Sequence, residues 1–114
     1  MDELTKIYSA LSDKNRIRIL ILLSKKSLCV CELQAVLRIS VSTVSKHLSI
    51  LKEAGFITDE KDGKWVNYKI NKLSKNPLIN QLIAATELYL KDDSIVLEDL
   101  NKIIDVNRYT ICSN

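Results

Sequence analysis

Cys29 and Cys31 lie one residue apart and Cys112 lies far along the chain; these three are the residues of this 114-residue sequence best suited to bond a soft ion. Thiolates select soft or thiophilic metals and metalloids over magnesium or calcium. A helix is expected to begin at Cys29, and its positive N-terminal end, with Lys25 and Lys26 nearby, would lower the thiol pKa toward neutrality. In a regular helix two side chains two positions apart diverge by about 200°, so shared coordination by Cys29 and Cys31 requires the first turn to unwind. That strain would make a switch. The plain alternative is that all three are inert: small apolar packing residues at 29 and 31, and an incidental thiol at 112.

A second group is polar rather than soft. Ser42, Thr43, Ser45, Lys46, His47 and Ser49 fall in one segment whose apolar stripe is Val44, Leu48 and Leu51. At about 100° per residue, Ser42, Lys46 and Ser49 face away from that stripe, Thr43 and Ser45 flank them, and His47 sits nearer the inner edge. Short hydroxyls and a cation suit phosphates and base edges. Lys61 and Lys64 add cations on an expected hairpin beyond.

The elements that must position these groups follow from periodicity. Leu4, Ile7, Tyr8 and Leu11 predict an amphipathic helix over 2–12, and Ile17, Leu20, Ile21 and Leu23 a buried one over 14–24, capped by Ser12 or Asp13. Val30, Leu33, Val36 and Leu37 predict a short helix over 29–37; a fourth, capped by Ser40, runs to about Ala54 and stops at Gly55. Phe56 to Thr58 and Trp65 to Ile70 are β-prone runs around a polar turn with Asp62-Gly63, which predicts a hairpin with Trp65 and Tyr68 directed to the core. Pro77 opens a long helix so apolar, from Leu78 to Leu90, that its outer face is expected to meet a second copy of the chain. Ile95, Leu97, Leu100 and Ile103 suggest one more amphipathic helix over 92–105, and the segment 109–114 shows no period.

Two short helices joined by a tight connection and followed by a basic hairpin make a winged helix-turn-helix, mainly α with a small β-hairpin. The second helix of such a unit fits the major groove of double-stranded DNA. The chain is expected to form one domain: 1–91 carrying DNA binding and dimerisation, 92–114 an extension of it. Net charge supports the partner: residues 1–39 and 40–75 each hold seven Lys/Arg against four Asp/Glu, whereas 76–114 hold three against six. With one histidine, no Gly-rich phosphate loop and no supported Ser/His/Asp set, enzymatic chemistry is not expected. No apolar stretch approaches the roughly 20 residues of a membrane span, and unpaired thiols with no leader pattern suggest a cytoplasmic protein.

Three runs then carry a family resemblance: Ser27-Leu28-Cys29-Val30-Cys31-Glu32-Leu33, Ser42-Thr43-Val44-Ser45-Lys46-His47-Leu48 and Leu51-Lys52-Glu53-Ala54-Gly55-Phe56-Ile57. With Leu11 to Leu20 and the wing Gly63 to Tyr68, the sequence over about 2–90 resembles the ArsR/SmtB family of metal-sensing repressors. The resemblance implies a homodimer, paired through its first and last helices, that leaves operator DNA when an inducer binds. Val41 departs from the polar residue often found at its position and offers only apolar contact, such as to a thymine methyl. Arsenic and antimony sensors of the family with Cys-Val-Cys in this helix often carry a third cysteine three residues on, which is Gln34 here. Because As(III) or Sb(III) in such sensors is held by three thiolates, the resemblance makes Cys112, of the same or the partner subunit, the candidate third ligand. Cadmium or lead sensors would need cysteines from an N-terminal arm, and zinc sensors His and Asp on the last helix; the only histidine here is His47. A redox-sensing repressor using Cys29 and Cys31, and a winged helix that binds protein instead of DNA, are the other readings.

Overall fold

A computed structural model describes residues 1–112; Ser113 and Asn114, the end of the segment read as aperiodic, lie outside the described residues. Its elements are α1 (Asp2–Ala10), α2 (Lys14–Lys25), α3 (Val30–Leu37), α4 (Val41–Ala54), β1 (Ile57–Asp62), β2 (Trp65–Ile70), α5 (Pro77–Tyr89), α6 (Ser94–Asp105) and α7 (Arg108–Ile111). No described helix is long and apolar enough to cross a membrane.

The centre is α2. Five consecutive residues, Ile19 to Leu23, are buried, as expected of a helix enclosed on all sides, and α4, α5, α6 and β2 pack around it. Leu33, Val36, Val44, Leu48, Leu51 and Phe56 complete the core, so α3 and α4 share their apolar faces with α2. Asp13 starts α2 by accepting the N–H groups of Asn15 (2.8 Å) and Arg16 (3.1 Å). Ser40 starts α4 by accepting the N–H of Thr43 (3.1 Å). Between them α3 ends at Arg38, whose left-handed φ of 56° turns the chain tightly into α4, and α4 ends at Gly55 with φ 96°.

Burial pushes the Asp13 carboxyl up, but the N–H groups of Arg16 and Asn15 and the nearby His47 and Arg16 charges outweigh it, so its pKa lies below the usual carboxylate value. A depressed pKa means stability that is present above the unfolded value of about 4 and lost as pH falls through the folded one. Asp13→Ala should therefore cost about 1 kcal/mol in urea unfolding at pH 7, and the difference from wild type should shrink below pH 4.

The hairpin is longer than the pattern indicates. β1 runs through Asp59-Glu60-Lys61-Asp62 and pairs antiparallel with β2 from Ile57↔Ile70 to Asp62↔Trp65, leaving Gly63 and Lys64 as the turn. The outer half of β1, Glu60 to Asp62, is exposed, and a ribbon end in solvent needs no apolar alternation, which is why the charged run hid a strand. Leu28 adds an isolated bridge to Tyr68, with N–H to O distances of 3.1 and 2.9 Å, so the residue before Cys29 is tied to the middle of β2.

On α6 the inward residues are Val96, Asp99, Leu100 and Ile103, while Ile95 and Leu97 face outward, a different phase from that expected. Asp99 is the reason: Arg18 of α2 donates to it from Nε (2.8 Å) and Nη2 (2.9 Å), turning a carboxylate inward where an apolar residue would be sought. On α5, Ile79 and Ile83 are buried, whereas Leu88 and Tyr89 are exposed, as are Leu4 and Tyr8 of α1.

Candidate functional site

Cys29 does not lie within a helix. It is the residue before α3, in extended conformation (φ −93°, ψ 171°), and Cys31 is the second helical residue. The expected unwinding of a first turn is therefore unnecessary: the bend between extended and helical backbone already lets the two side chains converge. Cys112 arrives on the same subunit as the residue that ends α7, its N–H donating to the Arg108 carbonyl at 2.9 Å. The three sulphurs lie within 4.8 Å of one another. Cys31 and Cys112 are in direct sulphur contact, with Cα atoms 6.0 Å apart.

The surroundings of Cys29 also correct the expected acidity. Burial pushes its thiol pKa up, the Glu32 carboxylate adds to this, and the Glu32 N–H and the Arg108 charge oppose it only in part. Lys25 and Lys26 do not help, since both are exposed and Lys25 pairs with Glu87 at 3.7 Å. Cys29 therefore holds its proton more firmly than an ordinary thiol, and a ligand that bonds the sulphur must displace it. Glu32 is itself engaged: one carboxylate oxygen accepts the Cys29 N–H at 3.0 Å and lies 3.3 Å from Arg108 Nη2. Among the described residues no histidine or carboxylate joins the three cysteines as a potential ligand. A donor set of three sulphurs fits an ion that forms a trigonal pyramid and leaves a tetrahedral ion one ligand short.

Sequence reasoning missed the elements that deliver Cys112. Asn107 caps α7 by accepting the Tyr109 N–H (2.9 Å), and Arg108 folds back against the hairpin. The Arg108 guanidinium hydrogen-bonds Asn67, approaches Asp62 (3.5 Å) and stacks on Trp65 with 5.0 Å to the ring centroid; Tyr109 meets the same ring edge-on. A four-residue helix has no apolar period to read, and an ion pair between positions 32 and 108 leaves no local trace. Trp65 is thus half-buried beneath the tail instead of anchoring the core, while Tyr68 packs at the core margin.

The polar group is largely presented as expected. Ser42, Thr43, Ser45, Lys46 and Ser49 are exposed along one side of α4, with Val41 at its start. The Ser40 hydroxyl also contacts those of Thr43 (2.7 Å) and Ser42 (3.2 Å), so these serve the cap as well as the surface. His47 is the exception. Its ring is buried, with Nδ1 3.2 Å from Arg16 and Nε2 3.9 Å from Asp13, which turns it toward α2 and away from any groove. Lys64 sits at the hairpin turn over Trp65, 4.8 Å from its centroid; Lys61 is not at the tip but in β1, opposite Val66.

Residues 13–59, from the α2 cap into the first half of β1, match the family described as bacterial regulatory protein, arsR family. The arsenic resistance transcriptional regulator ArsR2 of Pseudomonas putida is 30% identical over 99 residues, 83% of this chain and 86% of that protein. The chain belongs to the arsR family. Members are DNA-binding transcriptional regulators, not enzymes, and this one is an arsR-family repressor. The arsenical resistance operon repressor of Escherichia coli is 40% identical over 67 residues, 58% of this chain and only 57% of that protein's length. A cadmium resistance regulatory protein CadC homolog of Staphylococcus aureus is 37% identical over 91 residues, 79% of this chain and 72% of that protein. The homodimeric winged helix-turn-helix domain Mb0332 of Mycobacterium bovis superimposes with a TM-score of 0.67 at 22% identity, over 82% of each chain, and shares the fold.

α4 is the second helix of the helix-turn-helix, and Lys46 is its one exposed cation before Lys52. If Lys46 contacts phosphate, Lys46→Ala should weaken binding about equally for all duplexes and lower the slope of log affinity against log salt by about one per subunit. An unchanged slope would place Lys46 off the backbone.

Proposed function

We propose that this arsR-family repressor binds a two-fold symmetric operator as a homodimer and leaves it when trivalent arsenic or antimony is bonded by Cys29, Cys31 and Cys112 of one subunit. The observation that carries this reading is the convergence of three sulphurs, and no other donor among the described residues, within 4.8 Å. The chemistry balances without a base. Arsenous acid exchanges its three hydroxyls for three thiolates, and each displaced hydroxyl leaves as water with one thiol proton. The raised pKa of Cys29 is then no obstacle, because its proton departs with the hydroxyl it replaces.

The exposed apolar residues Leu88 and Tyr89 of α5 and Leu4 and Tyr8 of α1 support pairing of two subunits through these helices. Two copies place two α4 helices for successive major grooves. To weaken DNA about a hundredfold, the inducer must favour the released form by about 2.7 kcal/mol. The test is titration of arsenite into the complex with operator duplex, followed by fluorescence anisotropy. Release at about one arsenite per subunit is expected; a complex indifferent to arsenite and antimonite overturns the reading.

A second reading is favoured by one observation, the Cys31–Cys112 contact with Cα atoms at a separation usual for a disulfide. A redox-sensing repressor would then oxidise Cys31 with Cys112, not with Cys29: a hydroperoxide takes two electrons and two protons from the thiols and is reduced to alcohol and water. Release by hydroperoxide with no response to arsenite selects this reading. Cadmium or zinc, preferring four ligands, would need a fourth donor from outside the three cysteines.

A further inference from the structure

We propose that Arg108 is the positioning residue that carries occupancy of the cysteine site to the wing, an inference that rests on the three-sulphur reading. Arg108 stands at the meeting point of three parts. Through its own helix it holds Cys112, one turn away. Through Glu32 it reaches the residue whose carboxylate fixes the Cys29 backbone at the start of α3. Through Asn67, Asp62 and the face of Trp65 it grips the hairpin that carries Lys64.

The energetics explain why occupancy matters. None of the residues of α7 is buried, and a helix of this length has no stability of its own in water. The tail is held by the Arg108 contacts, by the edge of Tyr109 on Trp65 and by whatever joins Cys112 to α3. When one ion bonds Cys29, Cys31 and Cys112, α7 cannot lift, and the guanidinium stays against Glu32 and Trp65. Lys64 lies over the same ring, so the docked guanidinium and the wing cation share one indole, and the tail fixes the ring on which Lys64 rests. With the site empty the tail can leave, and the hairpin and Lys64 are free to follow a phosphate backbone. Guanidinium suits this role better than ammonium: its planar fork meets Glu32 and Asn67 while its face lies on the indole.

The experiment uses the full chain as wild type, Arg108→Ala and Asn67→Ala, the last cutting the strap at the wing without exposing Glu32. Three readouts are taken: arsenite binding by loss of titratable thiols, emission of Trp65, the only tryptophan, and affinity for operator duplex. Both variants should bind arsenite and, without it, bind DNA within about threefold of wild type. Arsenite should change Trp65 emission strongly only in wild type. The arsenite-induced loss of DNA affinity should fall from about a hundredfold to less than about tenfold in both variants. Variants that release DNA as wild type does overturn the proposal, as does an Arg108→Ala protein that no longer binds arsenite, which would make Arg108 part of the ligand site. Wild type that binds no arsenite removes the three-sulphur reading itself, and this inference with it.

Discussion

Cys112→Ser should bind arsenite at least about a hundredfold more weakly than wild type, and its DNA complex should survive arsenite concentrations that release the wild-type complex. Serine keeps the size of the side chain but replaces a soft thiolate by a hard hydroxyl, which a thiophilic ion does not favour. The remaining two sulphurs, on Cys29 and Cys31, leave one position of a pyramid to water. The three cysteines are not equivalent, however. Cys29 is buried beside Glu32, whereas Cys31 and Cys112 are half-buried, so Cys29→Ser also places a hydroxyl in a pocket shaped for sulphur. Cys112→Ser isolates coordination most cleanly, since its residue caps a short surface helix and leaves the core untouched. DNA affinity without arsenite should stay within about threefold of wild type. A Cys112→Ser protein released as readily as wild type would mean a two-thiolate site, or a third ligand supplied by solvent or a small thiol.

The second large effect concerns stability alone. Arg18→Met should lower the free energy of unfolding by about 3–5 kcal/mol, because it strands the Asp99 carboxylate in the interior. Asp99 is 3% exposed, and the two hydrogen bonds from Arg18 are its only side-chain partners among the described residues. The bidentate bond also raises the Arg18 pKa against the opposing effect of burial, so Arg18 stays charged. A domain of this size has about 5–15 kcal/mol in total, so the single variant approaches the unfolding threshold near body temperature. The double variant Arg18→Met, Asp99→Leu removes both charges and should recover most of the loss, to within about 1–2 kcal/mol of wild type. Urea unfolding with the slope held constant measures both. If the single and double variants are equally unstable, packing at the α2–α6 contact, not the ion pair, accounts for the cost.

Legibility of the fold followed the range of its interactions. Periodicity, Ser40, Gly55 and Pro77 are local signals, and they placed α1 to α5 and the hairpin to within a few residues. The Asp13 cap likewise involves neighbours two and three positions on, which a sequence displays. Where a partner lies far along the chain the signal vanishes. Arg18 with Asp99 and Glu32 with Arg108 are polar pairs whose burial depends on tertiary packing, and the first of them shifted the inward phase of α6. His47 was placed by geometry near the inner edge of α4, yet only Arg16 and Asp13 beneath it show that the ring is buried. The cysteines were legible by type and spacing, but not by conformation. A single extended residue at position 29 replaces the strained helix turn with three sulphurs that converge as they stand.

The central claim is the number of sulphur atoms of one subunit that meet one metalloid ion. X-ray absorption at the arsenic edge, on the reduced full chain loaded with one arsenite per subunit, counts them directly. Three sulphur neighbours and no oxygen in the first shell of the wild-type protein, falling to two in Cys112→Ser, is the result the three-sulphur site predicts. Two sulphurs and an oxygen in the wild type, unchanged by Cys112→Ser, would contradict it.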